Sequence, residues 1–435
     1  MPFVARIMGN RVFKRSPARP LRLGGLFIAP RIGRFEVAVV TIEGSLTQWP
    51  PRLESGFVAE FDNEKNFPWR DPWPSETPLA PRQFLSGLYA LRHQVAERAS
   101  EVVLDALRQS GLSPQQVEAI GLLDYAGWST GEGGRCIFLE LCDPATLALR
   151  CGLPVVSGFA ENDLAAGGRG GPLTPVPLWW KLAQNGKRRI LLDLGRSVSL
   201  IFLPPKDSAN GPAELLAFHA GPGTELLDRL AIKLTAGRQP FDPGGTLAVQ
   251  GQKIPELREK WLSDSIIRSP IPRWYPGGVP VDRFLCEGLQ AAIEKNWSVR
   301  DLLCTATHLV AEIAARAVEK VAVARGPLDE VLITGGGQNN GLLLAELTKS
   351  LAPLPLVRLS PSEGSATLGA LSAALLAALY LEQLPGNCPA ITGAESPKIL
   401  GRLTLYGRPI ELKHVNLPQG SNHLRWITHF RRAAI

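Results

Sequence analysis

The run His219 to Asp228, HAGPGTELLD, limits the folds open to this chain more than any other stretch. An apolar strand (Leu215, Leu216, Ala217, Phe218) runs straight into Gly221-Pro222-Gly223, and Thr224 opens a helix whose inner face is Leu226, Leu227 and Leu230. Strand, tight glycine turn and helix N-terminus in that order make the joint of an α/β protein. Such a joint aims main-chain N–H groups and a partial positive charge at whatever precedes the helix, commonly a phosphate or the charged end of a substrate. An ordinary βα loop that uses glycines for close packing has the same pattern, so the joint alone leaves both readings open.

The rest of the chain repeats the alternation. Valine-rich Phe35 to Glu43 reads as a first strand, and the proline-rich stretch Trp49 to Pro81, with Trp69 and Trp73, as an ordered surface excursion. Helical apolar spacing runs from Pro81 to Gln109 and stops at Gly111. Strands at Val117 to Leu123 and Leu153 to Ser157 lead to a glycine-rich loop, Asn162 to Pro175, with Asp163 at its head. Asp163 reads equally well as a catalytic carboxylate and as an Asx turn or helix cap. Arg188 to Leu203 reads as a hairpin turned at Gly195-Arg196. Asp301 to Val323 is a strong amphipathic helix, and Leu328 to Gly337 a buried strand that delivers Gly335, Gly336 and Gly337. Gln338-Asn339-Asn340 then lead into a helix from Leu342 to Leu351; a strand at Pro355 to Ser360 and a helix from Ser362 to Leu381 follow.

Two groups of strands alternating with helices predict an α/β, two-lobed body with ligands at the carboxyl ends of strands and in the cleft between lobes. The expected division is an arm and degenerate phosphate-loop region at 1–34, a first lobe at 35–152 to which 362–400 returns, a second lobe at 153–361, and a tail at 401–435. An apolar share of 45% with 20% charged residues is that of a globular protein. The richest apolar run, Ala366 to Tyr380, is too short to span a bilayer and suits a buried helix, so no transmembrane segment is expected.

The formal charge of +7 is concentrated: Arg6, Arg11, Lys14, Arg15, Arg19, Arg22, Arg31 and Arg34 precede the first acid, Glu36. That pattern argues for a basic arm on a nearly neutral body, and against a nucleic-acid-binding body. The arm is a solvated tail, a contact for an anionic partner, or a targeting segment. Six cysteines without a CxxC pair or metal spacing point to small core thiols in a reducing, cytoplasmic setting, and to no metal site.

Several motifs then fall in one order. Asp163-x3-Gly167-Gly168-x-Gly170-x-Pro172-Leu173-x-Pro175 is followed by a Leu-Asp-Leu-Gly strand turn and by Gly221-Pro222-Gly223-x4-Asp228. Val331 to Gly337 with Asn339-Asn340 comes next, and then Leu384-Pro385-Gly386-Asn387 and Thr392-Gly393-Ala394. The set resembles the 1,6-anhydro-N-acetylmuramic acid kinases over about residues 25 to 400. The resemblance implies the two-lobed actin-like, sugar-kinase ATPase fold, closing over ATP and sugar. It also implies an activity that uses ATP and water to open the anhydro bridge and phosphorylate the sugar during cell-wall recycling.

Four patches depart from that family. Its Ser-Gly-Thr-Ser phosphate loop is replaced by Ile28-Ala29-Pro30-Arg31-Ile32-Gly33-Arg34, where proline removes a donor and the arginines offer only long-armed charge. Its His-Gly-Gln-Thr stretch reads Leu123-Asp124-Tyr125-Ala126, and its basic segment reads Arg273-Trp274-Tyr275-Pro276-Gly277-Gly278. Its catalytic aspartate, two residues before the Gly-Pro-Gly turn, is His219. The resulting expectation is a catalytically impaired binding or scaffold member, with a working kinase as the alternative. In the alternative, His219 or Asp163 is the base and Arg31 the phosphate clamp. Gly195, Gly221, Gly223, Gly335, Gly336, Gly337 and Asn339 are the expected nucleotide contacts. ATP and magnesium are the cofactors if the chain is active, and none if it is not. An amino-sugar or nucleotide ligand and a homodimer complete the expectations.

Overall fold

Two sheets of the same internal order divide the molecule. The computed structural model describes residues 20–29, 34–44, 46, 51–60, 81–125, 127–130, 136–360 and 366–406. In chain order these form β1 (Leu21–Ala29), β2 (Arg34–Ile42), β3 (Arg52–Glu60), helix α1 (Pro81–Gln109), β4 (Ala119–Asp124) and the hairpin β5 (Gly127–Thr130) with β6 (Cys136–Leu139). Helix α2 (Pro144–Cys151), β7 (Val155–Ser157), α3 (Phe159–Ala165) and α4 (Pro175–Leu182) follow. The second half holds β8 (Arg189–Leu194), β9 (Ser197–Leu203), β10 (Leu216–Pro222), α5 (Thr224–Leu234) and α6 (Val299–Arg325). After them come β11 (Glu330–Thr334), α7 (Gly341–Leu351), β12 (Leu356–Arg358), α8 (Leu368–Leu381) and β13 (Arg402–Thr404).

The first sheet runs β3-β2-β1-β4-β7, with β13 added at its far edge, and the second runs β10-β9-β8-β11-β12. In each, three antiparallel strands are followed by two laid parallel to the first of them. The duplicated topology is that of the actin-like, sugar-kinase fold.

Strand alternation sets the layers. On β8, Ile190, Leu192 and Leu194 enter the outer core of the second lobe with α5, α6 and α7, while Leu191 faces the other way. On β2, Val37 and Val39 join α1 and α2 in the outer core of the first lobe. Val40 and Ile42, of the other parity, face the opposite way, and across from Val39/Val40 the partner strand β3 carries one extra residue. Between the sheets lies a third core built from α4 and α8, which also takes in Leu191, Leu203, Ala217 and Leu332 of the second sheet. The order of layers is helix, sheet, helix, sheet, helix.

Helix α8 is apolar on every face, and residues 370–379 are all buried. It lies so near the first sheet that a Cβ at Gly25 would come within 1.8 Å of the Ala370 carbonyl oxygen, and one at Gly121 within 1.9 Å of that of Ala373. Its N-cap residue Thr367 makes no side-chain cap bond. Glu36 of β2 does so instead, accepting the Gly369 N–H at 3.2 Å. Burial pushes the Glu36 carboxyl up to about 7, against the pull of Arg34 beside it.

Three expectations need correction. Residues 21–29, assigned to the arm and phosphate-loop region, form β1, which pairs with both β2 and β4. Gly24 and Gly25 weaken its strand pattern, yet Gly25 is what lets α8 approach. Residues 52–60, placed in a surface excursion, form edge strand β3; its inner face is only half covered and its apolar alternation is correspondingly weak. Residues 155–157, taken as opening the second lobe, pair with β4 and β13 in the first sheet. A short apolar strand does not state which sheet it joins. The arm before residue 20 and the tail after residue 406 lie outside the described residues. No helix among the described residues is long and apolar enough to cross a membrane.

Gly121→Ala is expected to destabilise the protein by about 1–3 kcal/mol in urea unfolding, because the added methyl has no room against the α8 main chain. Gly87→Ala on the exposed part of α1, where no atom lies within 4 Å of an added Cβ, is expected to be neutral or to stabilise by up to about 1 kcal/mol. Equal stability of the two variants would contradict the close approach of helix and sheet.

Candidate functional site

The Gly-Pro-Gly joint is folded against the β8–β9 turn. Gly223 has no room for a side chain, since its Cβ would stand 2.3 Å from the Gly195 carbonyl oxygen, and a Cβ at Gly221 would stand 3.1 Å from Ile313 of α6. The N–H groups that open α5 are already used. Thr224 donates to Gly195 at 2.8 Å, while Gly223 and Glu225 donate to Arg196 at 3.0 and 3.3 Å. The Arg196 side chain folds back onto Glu225, with Nη2 at 2.7 Å. Burial, with the nearby charge of Glu225, pushes the Asp228 carboxyl up to about 7. The packing reading of this joint therefore describes its geometry, and the free N–H cradle of the alternative reading is filled from within.

His219, on β10, is held on three sides. Its main-chain N–H donates to the Arg273 carbonyl at 2.9 Å, and its own carbonyl accepts from Arg273 Nε at 3.0 Å. The Tyr275 N–H donates to its Nδ1 at 3.2 Å, and the two rings are parallel within 10° at 6.2 Å. Burial, helped by the Arg273 charge, lowers its pKa to about 4. A neutral imidazole that accepts at Nδ1 carries its proton on Nε2, so the free side of the ring donates and does not accept. Arg273 itself is spent on main-chain carbonyls, those of His219, Ala220, Ile267 and Ser269.

Asp163 is fully buried in α3 and both its oxygens are occupied. Oδ2 accepts the Gly170 N–H at 2.9 Å, and Oδ1 accepts Asn387 Nδ2 at 2.7 Å. Asn387 in turn accepts the Lys398 N–H at 2.7 Å. Gly168 lies so near that an added Cβ would fall 2.1 Å from Oδ2. Asp163 thus clasps the glycine loop to the segment around Asn387, which is the turn-and-cap role. Two tryptophans lie on that loop. Trp128 of β5 would meet a Cβ on Gly170 at 2.5 Å, and Trp274, from the loop between the helices Ser265–Arg268 and Asp282–Lys295, would meet one on Gly171 at 2.8 Å. Their rings meet edge to face at 4.9 Å, and Phe138 and Tyr125 extend the wall at 4.6 and 6.4 Å from Trp128. An aromatic wall of this kind joins residues of both lobes.

Farther along the cleft, Arg34 pairs with Glu36 at 3.1 Å and donates to the Ala366 carbonyl at 2.6 Å. Its charge reaches Asp193 at the end of β8, whose carboxyl burial pushes up to about 6. Glu36 and Asp193, one from each lobe, also feel each other. The sequence held a signal for both: a single acid inside an apolar strand, FEVAVV and ILLDL. Gly335 and Gly337 abut β8, with would-be Cβ atoms 2.3 Å from Asp193 Oδ1 and 2.7 Å from the Leu194 carbonyl oxygen. Gly336 has open space about it, and Asn339 beside it is exposed. Asn340 caps α7 by accepting the Leu343 N–H at 3.0 Å. Of the expected nucleotide contacts, Gly336 and Asn339 are the open ones. Arg31 lies outside the described residues.

For a bound nucleoside triphosphate, the adenosine end would find open main chain at Gly336. The phosphate end would find the α5 donors taken and Arg34 already shared between carboxylates. Residues 30–33, where the resemblance places the phosphate loop, lie outside the described residues. The described residues contain no group of three or more His, Cys, Asp or Glu side chains able to hold a metal ion.

Residues 80–406 match the family model of anhydro-N-acetylmuramic acid kinase. A protein of that name from Gloeobacter violaceus is 32% identical over 327 residues, covering 72% of this chain and 81% of that one. Those from Nitrosospira multiformis and Pseudomonas paraeruginosa are 30% and 32% identical, covering 72% and 70% of this chain and 82% and 80% of their own lengths. Among solved structures, the activator of the 2-hydroxyisocaproyl-CoA dehydratase from Clostridium difficile with bound ADPNP aligns over 83% of this chain and 96% of that one. Its TM-score is 0.40 at 11% identity, too loose a superposition to add to the topology already described. On the family match and the identity to these relatives, the chain belongs to the anhydro-N-acetylmuramic acid kinase family.

Proposed function

We propose that this family member binds an amino sugar in the interlobe cleft and that its phosphoryl transfer is severely impaired. The observation that carries the reading is at His219, where the resemblance places the base. Its Nδ1 accepts the Tyr275 N–H and its Nε2 bears the proton, so no lone pair is left to take a proton from attacking water. Asp163 is fully buried and each of its oxygens is held, by the Gly170 N–H and by Asn387, which supports the same reading. The occupied α5 N–H groups support the same reading, since phosphoryl transfer depends on positioned donors around the phosphate. The aromatic wall of Trp128, Trp274, Phe138 and Tyr125 supports sugar binding, as such walls suit the apolar face of a pyranose.

A second reading has its own support. The relatives at about 30% identity carry the name of a working kinase, and that name favours ATP-dependent phosphorylation of anhydro-N-acetylmuramic acid in this chain as well. One assay separates the two. Purified protein given ATP, magnesium and the anhydro sugar is expected to form phosphorylated sugar at a rate at least about 100-fold below ordinary enzymatic turnover. His219→Asp, which restores a carboxylate at that position, is expected to raise the rate. Turnover by the unaltered protein at about 1–10³ s⁻¹ would establish the kinase reading.

The protonation state of His219 has its own consequence. A histidine whose folded pKa lies near 4, below its ordinary value of 6.5, lends stability that is present above pH 6.5 and is lost as the pH falls through 4. In urea titrations at pH 7.5 and pH 4.5, the advantage of the unaltered protein over His219→Gln is expected to shrink at the lower pH by about 1–3 kcal/mol. A gap that does not change with pH would mean that the ring titrates as if exposed.

A further inference from the structure

The second sheet ends in an edge that no other strand covers among the described residues. β12 is its last strand, laid parallel to β11 with Leu356 opposite Val331 and Arg358 opposite Ile333. The Pro355 carbonyl accepts the Val331 N–H at 2.9 Å, and the Leu359 N–H donates to the Ile333 carbonyl at 3.0 Å. These directions alternate along a strand, so the N–H and C=O groups of Leu356 and Arg358 point away from β11, at the open edge. Beside them, between β12 and α7, lies a groove of about 500 Å³. Ile333, Leu344 and Leu356 give it an apolar floor, and Thr348, Lys349 and Arg358 a polar rim. Ile333 belongs to the outer core of the second lobe, so the groove lies on the side of the sheet away from the central core.

The charge of the groove is one-sided. Lys349 and Arg358 are exposed, and among the described residues no carboxylate lines it. The acids of α7 and β11 are spent elsewhere, Glu346 on His308 at 3.3 Å and Glu330 on Lys187 and Arg189 at 3.2 and 2.9 Å. An open edge takes a further strand, whose main chain supplies the hydrogen bonds and whose alternate side chains enter what lies beside the edge. β12 is short and carries Arg358, features that keep an edge from pairing indiscriminately, so what it admits is chosen by charge. We infer that β12 is a docking edge for an extended acidic peptide of a partner protein. On the groove side of that peptide, an apolar residue lies opposite Leu356 and an acid two positions away meets Arg358 or Lys349. The site is independent of the sugar-binding reading of the cleft.

Fluorescence anisotropy of the whole chain with three labelled, end-capped heptapeptides tests it. Thr-Glu-Thr-Leu-Thr-Glu-Thr sets both acids and the leucine on one face of a strand, Thr-Lys-Thr-Leu-Thr-Lys-Thr reverses the charge, and Thr-Thr-Glu-Leu-Glu-Thr-Thr keeps the composition but turns the acids to the other face. The first is expected to bind at least about tenfold tighter than either of the others. Lys349→Glu combined with Arg358→Glu, both at exposed positions, is expected to reverse the preference between the first two peptides, and Thr348→Trp to weaken the first by filling the groove. Failure of the first peptide to bind, or equal binding of the first two, overturns the assignment; these comparisons need no variant to fold. Equal binding of the two glutamate peptides would mean attraction of charge without strand addition and overturns it too. A dimer of the unaltered protein that Arg358→Glu dissociates would make a second copy the occupant, with the same result.

Discussion

The contact on which the architecture depends is the one between helix α8 and the first sheet at Gly25 and Gly121. Both strands give up their side chains there, so that helix main chain lies against sheet main chain with no layer of side chains between. A helix that close can be apolar all round and still be fully buried, because the second sheet and α4 close over its other faces. The central core then belongs to both lobes. The arrangement has one electrostatic cost, an uncapped helix N-terminus, and Glu36 meets it from β2 with Arg34 as its counter-ion. The helix that joins the sheets is thus capped by a group standing in the cleft between them.

A second regularity concerns where polar groups are spent. In a ligand site, donors and acceptors point at a vacancy that the ligand fills. Here the groups of the motif set answer one another: the α5 N–H groups and the hairpin carbonyls, Asp163 with Gly170 and Asn387, Arg273 with four carbonyls, His219 with Tyr275. Each pairing is locally favourable, since a buried polar group left alone costs about 1–3 kcal/mol. Their sum is a set of motif residues whose polar groups are largely satisfied within the chain.

Much was legible from the sequence. The hairpin at Gly195-Arg196, the strand leading to Gly221, the long helix through Val310 and the glycine strand ending at Gly335 all stand where periodicity put them. These strands are buried on both faces and so read as nearly continuous apolar runs, while the long helix shows its apolar spacing at period 3.6. β1 and β3 were hidden because their patterns are broken for tertiary reasons, glycines under a helix in one and an edge with little cover in the other. For Asp163, sequence left two roles open, and the geometry assigned the clasp. For Gly221 and Gly223, close packing explains the glycines; for Gly336, nothing packs on it at all.

The sequence by itself determined the alternation of elements, the α/β class and the order of motifs that places the chain in its family. It also placed a histidine two residues before the Gly-Pro-Gly turn, because identity at a position is a property of the chain alone. Tertiary structure decided what each of those residues can still do. Whether an N–H is free, which nitrogen of His219 accepts, and where the Arg169 guanidinium donates all depend on groups distant in sequence: Arg196 beside Gly223, Tyr275 beside His219, Ile391 beside Arg169. Hydrogen bonding is directional and short-ranged, so only the folded arrangement settles who bonds to whom.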